Sequence, residues 1–133
     1  MEADIYTYVP TSFRKILKRG YNVPDLMIKK LGRRSAPMFK QINDFEMKKL
    51  NKADRKRLVK EKYVLSMSGE NLIDEFLKGN KDRIVIVIVD DVTTTGSTLN
   101  YLRNLICEYF DKYNVSKKKE ICIKYFTLFK DII

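Results

Sequence analysis

The 133-residue chain contains no histidine, which excludes several kinds of catalytic site before any motif is considered. A serine or cysteine nucleophile activated by a histidine cannot occur here. Any general base must therefore be a carboxylate, a water molecule or the substrate itself. The chain also lacks the Gly-x-x-x-x-Gly-Lys-Ser/Thr sequence with which P-loop nucleotide hydrolases hold phosphates.

Cysteine is scarce, and there is no long apolar run. Cys107 and Cys122 are the only two cysteines, and their separation matches no zinc-binding spacing. We expect both to be reduced core residues, as in a cytoplasmic protein. The longest uncharged apolar run is too short to span a bilayer, and the acid-bearing first residues do not resemble a signal peptide.

Length and charge describe one domain with an uneven charge distribution. We expect residues 1–133 to form a single domain with a continuous core. The net charge is +10, and residues 1–66 contain 17 Lys and Arg against 7 Asp and Glu, whereas residues 67–133 contain 10 of each. A basic stretch is usually a solvated surface. Excess charge confined to one half instead favours an anionic partner such as pyrophosphate or nucleic acid.

The most informative segment is residues 84–98. It opens with six consecutive β-branched residues, Ile84 to Val89. Because a strand that is apolar on both faces must be buried on both, this run predicts the central strand of a parallel sheet. Ligands of such sheets bind beyond the carboxyl ends of the strands, where Asp90 and Asp91 stand. The N–H groups at the start of the next helix favour phosphate, while the two acids suit ribose hydroxyls or a hydrated Mg²⁺.

The whole chain shows an alternation of short strands and helices. The predicted strands are 4–9, 36–42, 63–67, 84–89 and 121–129, and the predicted helices are 25–31, 68–77 and 97–113. Ser68 is expected to be the N-cap of the second helix. The order β-α-β-β-α-β-α-β predicts a mostly parallel sheet with helices on both faces, a Rossmann-like α/β fold.

Residues 84–98 resemble the phosphoribosyl-pyrophosphate (PRPP) signature of type I phosphoribosyltransferases: an apolar strand, two acids and then Thr-Thr-Gly-x-Thr. The resemblance implies the type I phosphoribosyltransferase fold, with PRPP and Mg²⁺ as ligands. It places Asp90 and Asp91 at the ribose hydroxyls. It assigns the 5′-phosphate to the loop of Thr94, Thr95, Gly96, Ser97 and Thr98. The alternative is a buried strand that ends in a solvated turn, with Ser97 or Thr98 as the helix N-cap.

The first half of the chain resembles the ComF family of competence-associated phosphoribosyltransferase-like proteins. The similarity lies in Val9-Pro10, in Arg19-Gly20-Tyr21-Asn22 and in a gapless alignment of residues 47–63. Three positions depart from the family pattern because each replaces an amide residue: Val23, Met47 and Leu58. ComF proteins usually begin with a four-cysteine zinc ribbon, which this chain of two cysteines lacks.

The resemblance also implies roles for several basic residues. It places the pyrophosphate-binding loop at Arg14 and Arg19, and arginine can bind two phosphate oxygens at once. The family's loop that closes over PRPP corresponds here to a stretch containing Lys48, Lys49, Arg55 and Arg57. For both groups the alternative is an exposed helix face.

Two functions stay open. One is an Mg²⁺-dependent enzyme of the ComF type that transfers phosphoribose to an unidentified acceptor and is linked to DNA uptake. The other is a non-catalytic PRPP- or nucleotide-binding protein whose basic half holds single-stranded DNA, with bases stacked on aromatic rings. The aromatic residues considered for stacking are Tyr21, Phe39, Phe45 and Tyr63. The oligomeric state is open, with a dimer among the possibilities.

Overall fold

The computed structural model describes residues 3–10, 23–42, 51, 53, 63–90, 96–115 and 118–127. Strands and helices follow one another in the predicted order. Their bounds are β1 Ile5–Tyr8, α1 Val23–Lys30, β2 Phe39–Gln41, β3 Tyr63–Leu65, α2 Met67–Lys78, β4 Arg83–Asp90, α3 Gly96–Tyr113 and β5 Glu120–Thr127.

A parallel sheet of three strands, in the order β1-β4-β5, forms the centre of the fold. Tyr8 of β1 lies opposite Val89 of β4, and Asp90 of β4 lies opposite Thr127 of β5. The prediction that residues 84–89 form the central strand of a parallel sheet is therefore confirmed. The chain has a mixed α/β fold.

Residues of β4 alternate between two hydrophobic clusters. Its even-numbered isoleucines lie in the larger cluster, where they pack with side chains of α2 and α3. Val87 and Val89 lie in a smaller cluster on the other face, with Tyr6 of β1 and Ile28 of α1. Because successive side chains of a strand point to opposite faces, a continuous β-branched run fills both clusters. Helices thus lie on both faces of the sheet, as predicted.

The strands β2 and β3 do not join the parallel sheet. They pair antiparallel with each other as a separate two-stranded sheet. In β2, Phe39 is buried whereas Lys40 and Gln41 are exposed, so this strand is not buried along its length. Strands inside a parallel sheet are covered on both faces, whereas antiparallel strands can be exposed to solvent. The predicted mostly parallel sheet therefore does not include the strands predicted at 36–42 and 63–67, which form a second sheet.

Helix α2 starts one residue earlier than predicted, and its N-cap is Ser66 rather than Ser68. The Ser66 hydroxyl accepts a hydrogen bond from the Gly69 N–H (3.0 Å) and donates one to the Pro37 carbonyl (2.6 Å). The same side chain therefore satisfies an N–H group of the first turn and ties α2 to the segment before β2. Gly69 lies directly against Met38 in that segment.

The other end of α2 is held by a lysine from the start of β5. The Lys119 ammonium donates hydrogen bonds to the carbonyls of Phe76 (2.7 Å), Gly79 (2.6 Å) and Lys81 (2.7 Å). It also lies 4.7 Å from the centroid of the Phe76 ring. A cation at this position complements the negative end of the helix dipole and ties the residues that follow α2 to its last turn.

Asp4 joins the start of β1 to the start of β4. Its carboxylate accepts hydrogen bonds from the Lys81 ammonium and from the Val85 N–H, the second at 2.7 Å. The hydrogen bond from Lys81, followed by that from Val85, lowers the pKa of Asp4 below its usual value. Folding therefore favours the ionised form of this side chain.

Asp4 should make the stability of the fold depend on acidity. Because its pKa is lower in the folded state, its contribution is complete above the unfolded-state pKa of about 3.9 and is lost as the pH falls through the folded-state value. Asp4→Asn should remove this component, so the variant should lose less stability than the parent between pH 6 and pH values below about 4. Urea unfolding at a series of pH values measures it. Asp111→Asn, at an exposed position of α3, is the control; an unchanged acid response in Asp4→Asn would contradict the assignment.

Candidate functional site

The carboxyl ends of β1, β4 and β5 meet at one edge of the sheet. The Val9 N–H, just after β1, donates to the Val89 carbonyl at 3.0 Å, and Asp90 faces Thr127 at the end of β5. Asp90 therefore ends the central strand between the ends of its two neighbours. In open parallel α/β sheets this is the edge at which ligands bind.

Asp90 is buried, with 8% of its surface exposed. Among the residues that the structure describes, it is the only buried residue with an ionisable carboxylate. Acidic side chains are rarely buried in proteins because removing a carboxylate from water is costly. A buried acid at the ligand-binding edge is therefore a stronger indication of a functional site than an exposed acid at the same place.

Helix α3 begins at Gly96, so Gly96, Ser97 and Thr98 form its first turn. The first turn carries no acidic side chain. The positive end of the helix dipole lies at this turn, so an anion is favoured there. Ser97 and Thr98 both lie inside the helix, so neither is the N-cap that the alternative of a solvated turn assigned to them.

The structure places part of the predicted site. Asp90 and the first turn of α3 are described, and residues 91–95 join them. The remaining predicted site residues lie outside the described part of the chain: Arg14, Arg19, Lys48, Lys49, Arg55, Arg57, Asp91, Thr94 and Thr95.

The sequence did not indicate a cavity of about 330 Å³ on the α1 face of the sheet, next to the same edge. It is lined by Tyr6, Leu31, Arg33, Val87, Val89 and Phe126. The guanidinium carbon of Arg33 lies 5.9 Å from the centroid of the Tyr6 ring. A largely apolar wall with one guanidinium is suited to a planar ligand of low polarity. Only the pairing of β4 with β5 places Phe126 beside Val89, and no local pattern predicts that register.

The thiol prediction can be compared with the structure, and Mg²⁺ binding stays a prediction. Within the described ranges, no group of three or more acidic or cysteine side chains could hold a metal ion. Mg²⁺ commonly uses only one or two carboxylates and completes its shell with water and phosphate oxygens, so Asp90 is a suitable single ligand. Cys107 and Cys122 are free thiols, as predicted, but both are half-buried rather than in the core. Burial raises the pKa of the Cys107 thiol.

Two of the aromatic residues considered for base stacking are described. Phe39 is 5% exposed and belongs to the larger hydrophobic cluster, so it cannot stack on a nucleic-acid base. Tyr63 is half-buried and packs against the same cluster, and its carbonyl accepts a hydrogen bond from the Tyr101 hydroxyl (3.3 Å). Tyr21 and Phe45 lie outside the described residues.

A scan against protein-family models, a search of curated proteins and a search of solved structures each find no match to this chain. Of the helices that the structure describes, none combines the length and apolar character needed to cross a membrane.

Proposed function

We propose that this chain is a PRPP-binding protein of the ComF type with the type I phosphoribosyltransferase fold. One observation carries the proposal: a buried carboxylate, Asp90, ends the central strand of a parallel sheet, and six residues later the chain enters the first turn of α3. PRPP presents ribose hydroxyls next to a 5′-phosphate. A carboxylate followed closely by the N-terminal turn of a helix, where the helix dipole is positive, complements both parts.

The chain's own residues account for binding and orientation. Asp90 and Asp91 accept hydrogen bonds from the two ribose hydroxyls, and residues 94–98 surround the 5′-phosphate. Because the ribose is held both at its hydroxyls and at its 5′-phosphate, it cannot rotate in the site. Its C1 atom therefore presents the same face to an incoming acceptor. The carboxylates also stabilise the positive charge that develops on the ribose when the bond to pyrophosphate breaks.

Two further groups act at the leaving pyrophosphate. Arg14 and Arg19 bind its oxygens, and Lys48, Lys49, Arg55 and Arg57 belong to a loop that closes over PRPP. Asp90 and Asp91, together with ligand oxygens, would hold Mg²⁺, which when bound would supply positive charge beside the leaving group. With no histidine in the chain, the proton released by the acceptor passes to a carboxylate, to water or to the pyrophosphate.

The product of the reaction is a phosphoribosylated acceptor, in a pathway linked to DNA uptake. The acceptor is expected to be a nitrogen base, and the cavity lined by Val89 and Phe126 offers an apolar place for a flat ring at the same edge as Asp90. The non-catalytic alternative keeps the PRPP site and uses the basic half for single-stranded DNA. The charge excess in residues 1–66 supports that alternative, whereas the burial of Phe39 removes one of its stacking residues.

Titration calorimetry with PRPP tests the proposal. We expect saturable binding in the presence of Mg²⁺ and much weaker binding when Mg²⁺ is chelated. A pyrophosphate-release assay with a panel of purine and pyrimidine bases then separates the two functions. Release with one base identifies an enzyme, and binding without release identifies the non-catalytic protein. The absence of PRPP binding with and without Mg²⁺ would refute both.

A further inference from the structure

Strand β5 is an edge of the sheet in the part of the chain that the structure describes. The strand order ends with β5, and no other described strand pairs with it. The side chains of residues 120–126 are half-buried or exposed, and Tyr125 and Phe126 are 37% and 36% exposed. An eight-residue edge of this kind can accept another strand.

The backbone of β5 has one set of polar groups that points away from β4. The Glu120 N–H donates to the Asp82 carbonyl at 2.8 Å, so the polar groups of Glu120 face β4. Because hydrogen-bonding direction alternates along a strand, those of Ile121, Ile123 and Tyr125 face outward. These N–H and C=O groups form a regular ladder edge.

The charged residues of β5 are arranged symmetrically about Cys122. Glu120 lies two residues before it and Lys124 two residues after it. When two copies of the strand pair antiparallel around a two-fold axis at Cys122, each Glu120 lies opposite the other copy's Lys124. The axis is perpendicular to the sheet, so residues opposite each other lie on the same face. Within each of the two pairs, the glutamate and the lysine therefore attract each other.

The neighbouring two-fold registers are less favourable. An axis at Ile121 places Lys118 opposite Lys124, and an axis at Lys124 places that lysine opposite itself. An axis at Ile123 brings no opposite charges together. Like charges directly opposite each other destabilise a strand pair, so the register centred on Cys122 is the best of the set.

We propose that this protein forms a two-fold dimer in which β5 pairs antiparallel with β5 of a second copy, centred on Cys122. The two three-stranded sheets then become one continuous sheet. Because the strands run in opposite directions, the carboxyl edges that carry Asp90 lie at opposite ends, and both candidate sites stay open. This inference is independent of the proposed function.

Charge reversal tests the interface. Analytical ultracentrifugation of the full chain should show a monomer–dimer equilibrium. Glu120→Lys places lysines opposite each other twice and should weaken dimerisation by roughly tenfold or more. The double variant Glu120→Lys with Lys124→Glu restores opposite charges in the same register and should recover the parental affinity. A monomer at all concentrations, or a dimer that is unaffected by Glu120→Lys, would overturn the proposal.

Cross-linking provides a second test that does not depend on the charge variants. The two Cys122 residues form a pair without mutual backbone hydrogen bonds, for which the Cα atoms lie about 4.5 Å apart. That separation is within the range bridged by disulfides. Mild oxidation should therefore give a covalent dimer that persists in Cys107→Ser and is lost in Cys122→Ser. Cross-linking that requires Cys107 instead, or none while a dimer is present, would refute this register.

Discussion

Asp90→Asn combined with Asp91→Asn should lower the affinity for PRPP at least about a hundredfold. Each carboxylate is expected to accept a hydrogen bond from a ribose hydroxyl, and a hydrogen bond to a charged group contributes about 1.5–3 kcal/mol. Losing two such bonds corresponds to a factor of about one hundred or more in the dissociation constant. Titration calorimetry with PRPP and Mg²⁺ measures the change.

The matched control for this experiment lies next to the other end of the same strand. Asp82 precedes β4 at the end opposite Asp90 and is exposed, so Asp82→Asn should leave PRPP binding unchanged. Asparagine has nearly the shape of aspartate, and circular dichroism should show an intact fold for both variants. If the double variant folds and binds PRPP as tightly as the parent, the ribose assignment is wrong.

The largest effect on stability is expected for Gly69→Ala. A Cβ atom at this position would lie 2.4 Å from the Met38 carbonyl oxygen, and because that neighbour is backbone, either α2 or the segment before β2 must move. Overpacking of this kind costs about 1–3 kcal/mol, which exceeds the gain of up to about 1 kcal/mol from the higher helix propensity of alanine. We expect the melting temperature to fall by several degrees, measured by differential scanning calorimetry.

Gly79→Ala serves as the comparison for Gly69→Ala. At Gly79 the nearest atom to an added Cβ is the Glu75 carbonyl oxygen at 3.3 Å, and the backbone φ of −82° is available to alanine. This variant should be close to the parent in melting temperature. If both variants have the same melting temperature as the parent, the close approach of Gly69 to Met38 does not constrain the position of α2.

The sequence predicts the central layer of the fold because its signal there is local. The side chains of Ile84 to Val89 are apolar on both faces of the strand, so both faces must be buried. The structure has a hydrophobic cluster on each face. The apolar spacing of α3 likewise predicts that helix to within one residue of its observed start. Burial of a whole run of side chains leaves few alternative arrangements.

The sequence predicts poorly what depends on pairing between distant segments. The antiparallel partnership of β2 and β3 joins residues on either side of positions 43–62, and three-residue strands carry almost no periodic signal. The N-cap at Ser66 was missed because Ser66 and Ser68 are both suitable cap residues. The choice between them depends on Pro37 and Met38, which are distant in sequence.

The candidate site divides in the same way. The position of Asp90 follows from the strand that precedes it, and it is the part of the predicted site that the structure describes best. Its burial depends on the neighbouring ends of β1 and β5, which a local pattern does not contain. The cavity beside Val89 is also a product of strand order, since Tyr6, Val89 and Phe126 come from three different strands.

The position of β1 beside β4 has a consequence for the order in which the protein folds during synthesis. The contact between Asp4 and Val85 joins positions 81 residues apart, and the whole β1–β4 ladder has similar separations. At about 5–20 residues per second, a ribosome needs roughly 4–16 s to make that stretch. The β4-α3-β5 unit closes over a much shorter distance in the chain. We therefore expect the β4-α3-β5 unit to form first and β1, although it is synthesised before that unit, to dock onto it afterwards.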